Sequence, residues 1–118
     1  MNRIEITGRL TTDPELRALP DGTPACRVRL AVKEMGRGRD VGYVDVTEFG
    51  AAGEAAAREL SKGWLVAASG RLKYREWDVK GDYNRHDYEV IGHIEFLAAP
   101  NQREKESQAF DQGLTAAG

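Results

Sequence analysis

The sequence predicts an all-β fold: a five-stranded Greek-key barrel with one short helix between the third and fourth strands. Three observations carry that expectation. Apolar residues alternate at period two in five separate stretches, and an alanine-rich run breaks the rhythm after the third. Glycines also fall inside the first and fourth stretches, where a small closed barrel has to curl sharply.

The first stretch, "RIEITGRL", sets Ile4, Ile6 and Leu10 on one face with Gly8 at a bend or bulge. "TTDPELRALPDGTPA" then supplies turn chemistry at Asp13-Pro14 and at Pro20-Asp21-Gly22, with "ELRAL" read as a continuation of the first strand after a break. In "ACRVRLAVKE", Cys26, Val28, Leu30 and Val32 point one way and Arg27, Arg29 and Lys33 the other. "MGRGRDVG" reads as a basic hairpin tip. "YVDVTEF" puts Val44 and Val46 on one face, with Tyr43, Asp45, Thr47 and Phe49 opposite. "AAGEAAAREL" suits a short helix, which Ser61-Lys62-Gly63 would stop. "WLVAASGRLKYREW" is a long strand, curled at Gly70, with Val66, Ala68 and Leu72 inward. A polar loop, "DVKGDYNRH", leads to the last strand, "DYEVIGHIEFL". This element order is that of the oligonucleotide/oligosaccharide-binding (OB) fold. The domain is expected over residues 1–98, and the aperiodic, polar stretch 99–118 reads as a flexible tail.

Composition narrows the function. With 118 residues, 41% hydrophobic and 31% charged, the chain can build one modest core without metal or disulfide. A single cysteine, Cys26, leaves no internal disulfide and reads as an inert buried thiol. His86 and His93 lie seven apart, more than about 20 Å along an extended strand, too far to share a metal ion. Ser61 and Ser69 have no base pattern beside them, and the carboxylates look scattered over turns and outer faces, so no enzyme, metal or cofactor is expected. "MNRIEITGRL" is no signal peptide and no stretch approaches a membrane span, so a cytoplasmic setting is expected. A net charge of −2 excludes binding by bulk positive charge, but says nothing against a basic stripe on one face.

Such a stripe is legible. As a strand, "GRLKYREW" lines up Arg71, Lys73, Arg75 and Trp77. Tyr43 and Phe49 share a face of the third strand, and the second adds Arg27, Arg29 and Lys33, with Arg37 and Arg39 at its tip. Binding single-stranded nucleic acid requires cations that follow phosphates and flat rings that hold unstacked bases. Each residue also has a plainer reading. Phe49 fits a barrel core, Tyr43 a cross-strand packing pair, and Arg71, Lys73 and Arg75 a solvated face. Arg37 and Arg39 fit a loop kept soluble, and Trp64 reads as packing or interface rather than DNA contact.

Several motifs resemble the bacterial single-stranded DNA-binding proteins over roughly residues 3–97. They are "DPE", the "FG" of Phe49-Gly50, the L-x-K-G of Leu60 to Gly63, and the G-x-L-x-x-R-x-W of Gly70 to Trp77. The resemblance implies a homotetramer of OB barrels that wraps single-stranded DNA without hydrolysis or metal. It implies base stacking at Tyr43, Phe49 and Trp77. Two departures stand out. Gly36 lies where the family often has another tryptophan. The end, "GLTAAG", differs from the acidic, phenylalanine-tipped peptide of the housekeeping type, which puts recruitment of replication and repair enzymes through that tip in doubt. The expected function is sequence-independent single-stranded DNA binding and protection in replication, repair and recombination. The rival is an OB-fold interaction module of a replication or repair complex, with weak or no nucleic-acid binding.

Overall fold

The computed structural model of the chain describes residues 1–33, 41–78 and 84–100, and of 75–78 and 84–86 the backbone alone. The strands are β1 (Ile4–Leu10), β2 (Glu15–Ala18), β3 (Pro24–Val32), β4 (Gly42–Phe49), β5 (Leu65–Asp78) and β6 (Asn84–Ala98), and the helix α1 is Gly50–Glu59. They form one mixed sheet in the order β1-β5-β6-β4-β3-β2. All pairs are antiparallel except β4 with β6. β1 also meets β3, through Arg9↔Ala31 and Leu10↔Leu30, which curls five of the strands into a near-ring.

Six strands, not five, is the main departure from the sequence reading. "ELRAL" does not continue the first strand; Glu15–Ala18 is a strand of its own, antiparallel to β3 from Glu15↔Arg27 to Ala18↔Pro24. The turn that folds it back is built from Pro20-Asp21-Gly22. Gly22 has φ +90° and the Asp21 carboxylate accepts the Thr23 N–H at 2.9 Å. All four β2 residues are exposed, because β2 lies outside the ring and buries no face.

The apolar alternation fills the ring as expected. Leu10, Cys26, Val28, Leu30, Val32, Val46, Val66, Ala68, Val90 and Ile94 form the core with Ala56 and Leu60 of α1. Leu72 is the exception, 38% exposed rather than inward. β5 and β6 outrun their neighbours there, and their ladder continues to Asp78↔Asn84 as a two-stranded arm. The Leu72 N–H and C=O are instead held by the Asn2 side chain at 2.9 and 2.8 Å. Both strands therefore extend into the stretch expected as a polar loop.

The short motifs prove to be contacts. Gly50 has φ +80°, the left-handed turn that lets the chain leave β4 and start α1 at once. Asp13 of "DPE" accepts the Lys62 N–H at 2.9 Å, and the Gly63 N–H donates to the Leu10 carbonyl at 2.9 Å. "DPE" and "L-x-K-G" thus pin the exit of α1 to the end of β1, where the ring closes. Trp64 packs on the core and meets Phe96 edge-on at 5.8 Å. No helix among the described residues is long and apolar enough to cross a membrane. The hairpin tip with Arg37 and Arg39, and the tail from residue 101, lie outside the described residues.

Candidate nucleic-acid interface

Residues directly paired across a sheet share a face, and neighbours along a strand alternate. The registers therefore say which side chains meet. Arg27 pairs with Thr47, Thr47 with Ile91, and Ile91 with Arg71; Glu15 of β2 pairs with Arg27 from the other side. One row thus crosses five strands, and it places the β3 arginines and the β5 cations on the same outer face. At about 4.8 Å per strand, Arg27 and Arg71 stand roughly 14 Å apart.

Parallel rows complete the surface. Arg29 pairs with Asp45, Ala31 with Tyr43, and Ala25 with Phe49. On the arm, Lys73 lies opposite Glu89 and Arg75 opposite Asp87, and the register carries on to Trp77 opposite Arg85. Tyr43 is 52% exposed and Phe49 40%, so neither ring is a core side chain. Arg71 and Lys73 are exposed as well. Lys33 stands apart: exposed just past β3, it lines a groove with Arg9 and Val41 at the seam between β1 and β3.

The cations of β3 are held in place. Arg27 donates to Asp45 at 2.8 Å, and the Arg29 guanidinium lies 3.6 Å from the same carboxylate. The Asp45 bond keeps the Arg27 guanidinium above its ordinary pKa, against an opposing effect of burial, so it stays charged. Arg29 also sits over the Tyr43 ring, 5.1 Å from its centroid, within cation–π range. The guanidinium thus covers one face of that ring.

Sequence reasoning missed the acidic floor of this surface. Carboxylates on this outer face are not all solvated: Glu89 is buried and accepts a bond from the Thr47 hydroxyl at 3.0 Å, and Asp45 is nearly covered. Glu48 is buried too, accepting the Ile94 N–H at 3.1 Å and sharing a 2.6 Å hydrogen bond with His93 Nδ1. The signal available was Asp45, set between aromatics on a strand whose cross-strand partners are arginines. Among the described residues, no three His, Cys, Asp or Glu side chains gather in a way that could hold a metal ion.

Comparison with known proteins gives the family of the chain. Residues 1–97 match the model of the single-strand binding protein family. The chain belongs to that family. It is similar to single-stranded DNA-binding protein 2 of Clostridium acetobutylicum, 36% identical over 103 residues that cover 82% of this chain and 77% of the relative. The single-stranded DNA-binding protein of Clostridium tetani is 34% identical over 117 residues, 94% of this chain and 80% of its own. Single-stranded DNA-binding protein 2 of Staphylococcus aureus strain COL is 33% identical along the whole of this chain, covering 88% of its own. The single-strand binding protein family is a non-enzymatic one, in keeping with the expectation of no catalysis.

Proposed function

We propose that the chain binds single-stranded DNA without sequence preference and shields it during replication, repair and recombination. Bases stack on Tyr43, Phe49 and Trp77. Phosphates are met by Arg27, Arg29, Arg71, Lys73 and Arg75, with Lys33, Arg37 and Arg39 at the margin. The observation that carries the reading is the five-strand row from Glu15 through Arg27, Thr47 and Ile91 to Arg71, which gives rings and cations from three strands a common surface. Three stacked bases would contribute roughly 3–9 kcal/mol before ordering costs, and every base offers a flat face, so sequence preference is low. The near-ring of strands is read as an OB barrel over residues 1–98, and family membership supports a homotetramer in the bacterial cytoplasm.

Titration of the intrinsic tryptophan fluorescence with oligo(dT) tests the proposal. Saturable quenching that weakens as salt rises is expected, with Trp77→Ala more damaging to binding than Trp64→Ala. A flat titration would reject DNA binding in favour of a protein-interaction module, and equal, negligible effects of the two substitutions would reject the site. Light scattering on the purified chain tests the tetramer.

A further inference from the structure

The geometry points to a phosphate contact beyond those above: the nucleic-acid track crosses the edge strand β2, and Arg17 holds a phosphate there. This rests on the proposed binding of single-stranded DNA. The registers set Arg17 opposite Ala25, and Ala25 opposite Phe49. Ring, small residue and guanidinium therefore form one row, with Arg17 two strand spacings, about 10 Å, from Phe49. Ala25 leaves the middle of that row low, so a base against the Phe49 ring and its sugar would have room to lie across it.

A cleft of about 290 Å³ opens beside this row, lined by Thr12, Glu15, Arg17, Arg27, Arg29 and Asp45. Three guanidiniums face two carboxylates in it, so the cleft favours an anion. Its arginines differ in how firmly they are held. Arg27 and Arg29 share Asp45, whose side chain is only 14% exposed. Arg17 meets Glu15 at 3.3 Å with both side chains well exposed, 74% and 58%. Such a solvent-screened pair gives way to a phosphate more easily than the Arg27–Asp45 bond does. β2 is also the outermost strand, so a strand leaving the face over Phe49 passes Arg17 last.

Anisotropy of a labelled oligo(dT) with the full chain, over a salt series, tests this on Arg17→Gln, Arg17→Lys and Arg58→Gln. Arg58 lies on α1, outside the sheet face, and serves as the charge control. Arg17→Gln should weaken binding about three- to tenfold at low salt and flatten the log–log salt slope by about 0.7, the loss of one single-strand phosphate contact. Arg17→Lys should keep the slope, and Arg58→Gln should match the parent chain. The inference falls if Arg17→Gln keeps the full slope, or if Arg58→Gln flattens it equally. With the parent chain still binding in a salt-dependent way, those results leave the proposed function standing. Absence of binding by the parent chain would remove both.

Discussion

Gly92→Ala should cost the protein a measurable part of its stability. Gly92 of β6 lies opposite Gly70 of β5, where the arm leaves the ring. A Cβ at Gly92 would sit 2.0 Å from the Ser69 carbonyl oxygen and 2.7 Å from the Gly70 Cα, while contacts under 3.0 Å essentially never occur. Both obstacles are backbone, so no side chain can swing aside. The strands would have to part by about 1 Å, which carries ladder bonds of about 2.9 Å beyond hydrogen-bonding range. Two ladder bonds lost on this half-buried stretch, at about 0.5–1.5 kcal/mol each, put the loss at roughly 1–3 kcal/mol, against a typical total of about 5–15. Urea unfolding followed by tryptophan fluorescence measures it as a lower midpoint. A midpoint unchanged from the parent would refute the close approach of β5 and β6 at this pair. Gly70→Ala meets the Ile91 carbonyl oxygen in the same way and should behave alike.

Two further outcomes follow from the site and the core. Tyr43→Ala should lose about 1–3 kcal/mol of oligo(dT) binding, and Tyr43→Phe almost none, because stacking uses the ring and not the hydroxyl; equal losses would argue against stacking. Cys26 is fully buried, and desolvation, reinforced by the Glu48 charge, pushes its thiol up to about 11 from an ordinary 9.0. The folded state thus holds this proton more tightly than the unfolded chain. The associated stability is whole below about pH 9 and is lost as pH rises towards 11. Ellman's reagent should therefore react with Cys26 only after denaturation, and rapid reaction of the folded chain at pH 8 would contradict the burial.

The alternation of Cys26, Val28, Leu30 and Val32 was enough to identify a core strand, because a sheet with one buried face leaves no other period available. The helix was equally plain, since its alanine run has neither the period nor the branched side chains of a strand. Leu72 misled for a physical reason. Its period-two position continues the inward set of Val66 and Ala68, but the ring ends before the strand does, and strand length relative to neighbours is not written in one strand's sequence. β2 was hidden likewise: "ELRAL" buries nothing, so it carries no hydrophobic rhythm, and only its pairing with β3 makes it a strand. The proposed binding face was legible strand by strand. Its assembly across β3, β4, β6 and β5 depends on registers, which no single stretch encodes.

Those registers also reconcile a net charge of −2 with the polyanion-binding face proposed above. A row of cations with nothing between them would repel itself, and the structure offsets that repulsion locally: Asp45 stands between Arg27 and Arg29, and Glu89 lies opposite Lys73. The offset has a consequence for binding. A phosphate reaching Arg27 or Arg29 competes with a carboxylate already there, so each such contact is an exchange and yields less than a contact with a bare cation. Stacking on Tyr43 and Phe49 would meet no comparable competitor beyond the Arg29 guanidinium over the Tyr43 ring. The greater share of affinity should then come from rings rather than charges, which favours a strand held by its bases over one held by its backbone. Duplex DNA keeps its bases stacked on one another and cannot offer them to those rings, so on the proposed reading the arrangement that tempers affinity would also discriminate against the double helix.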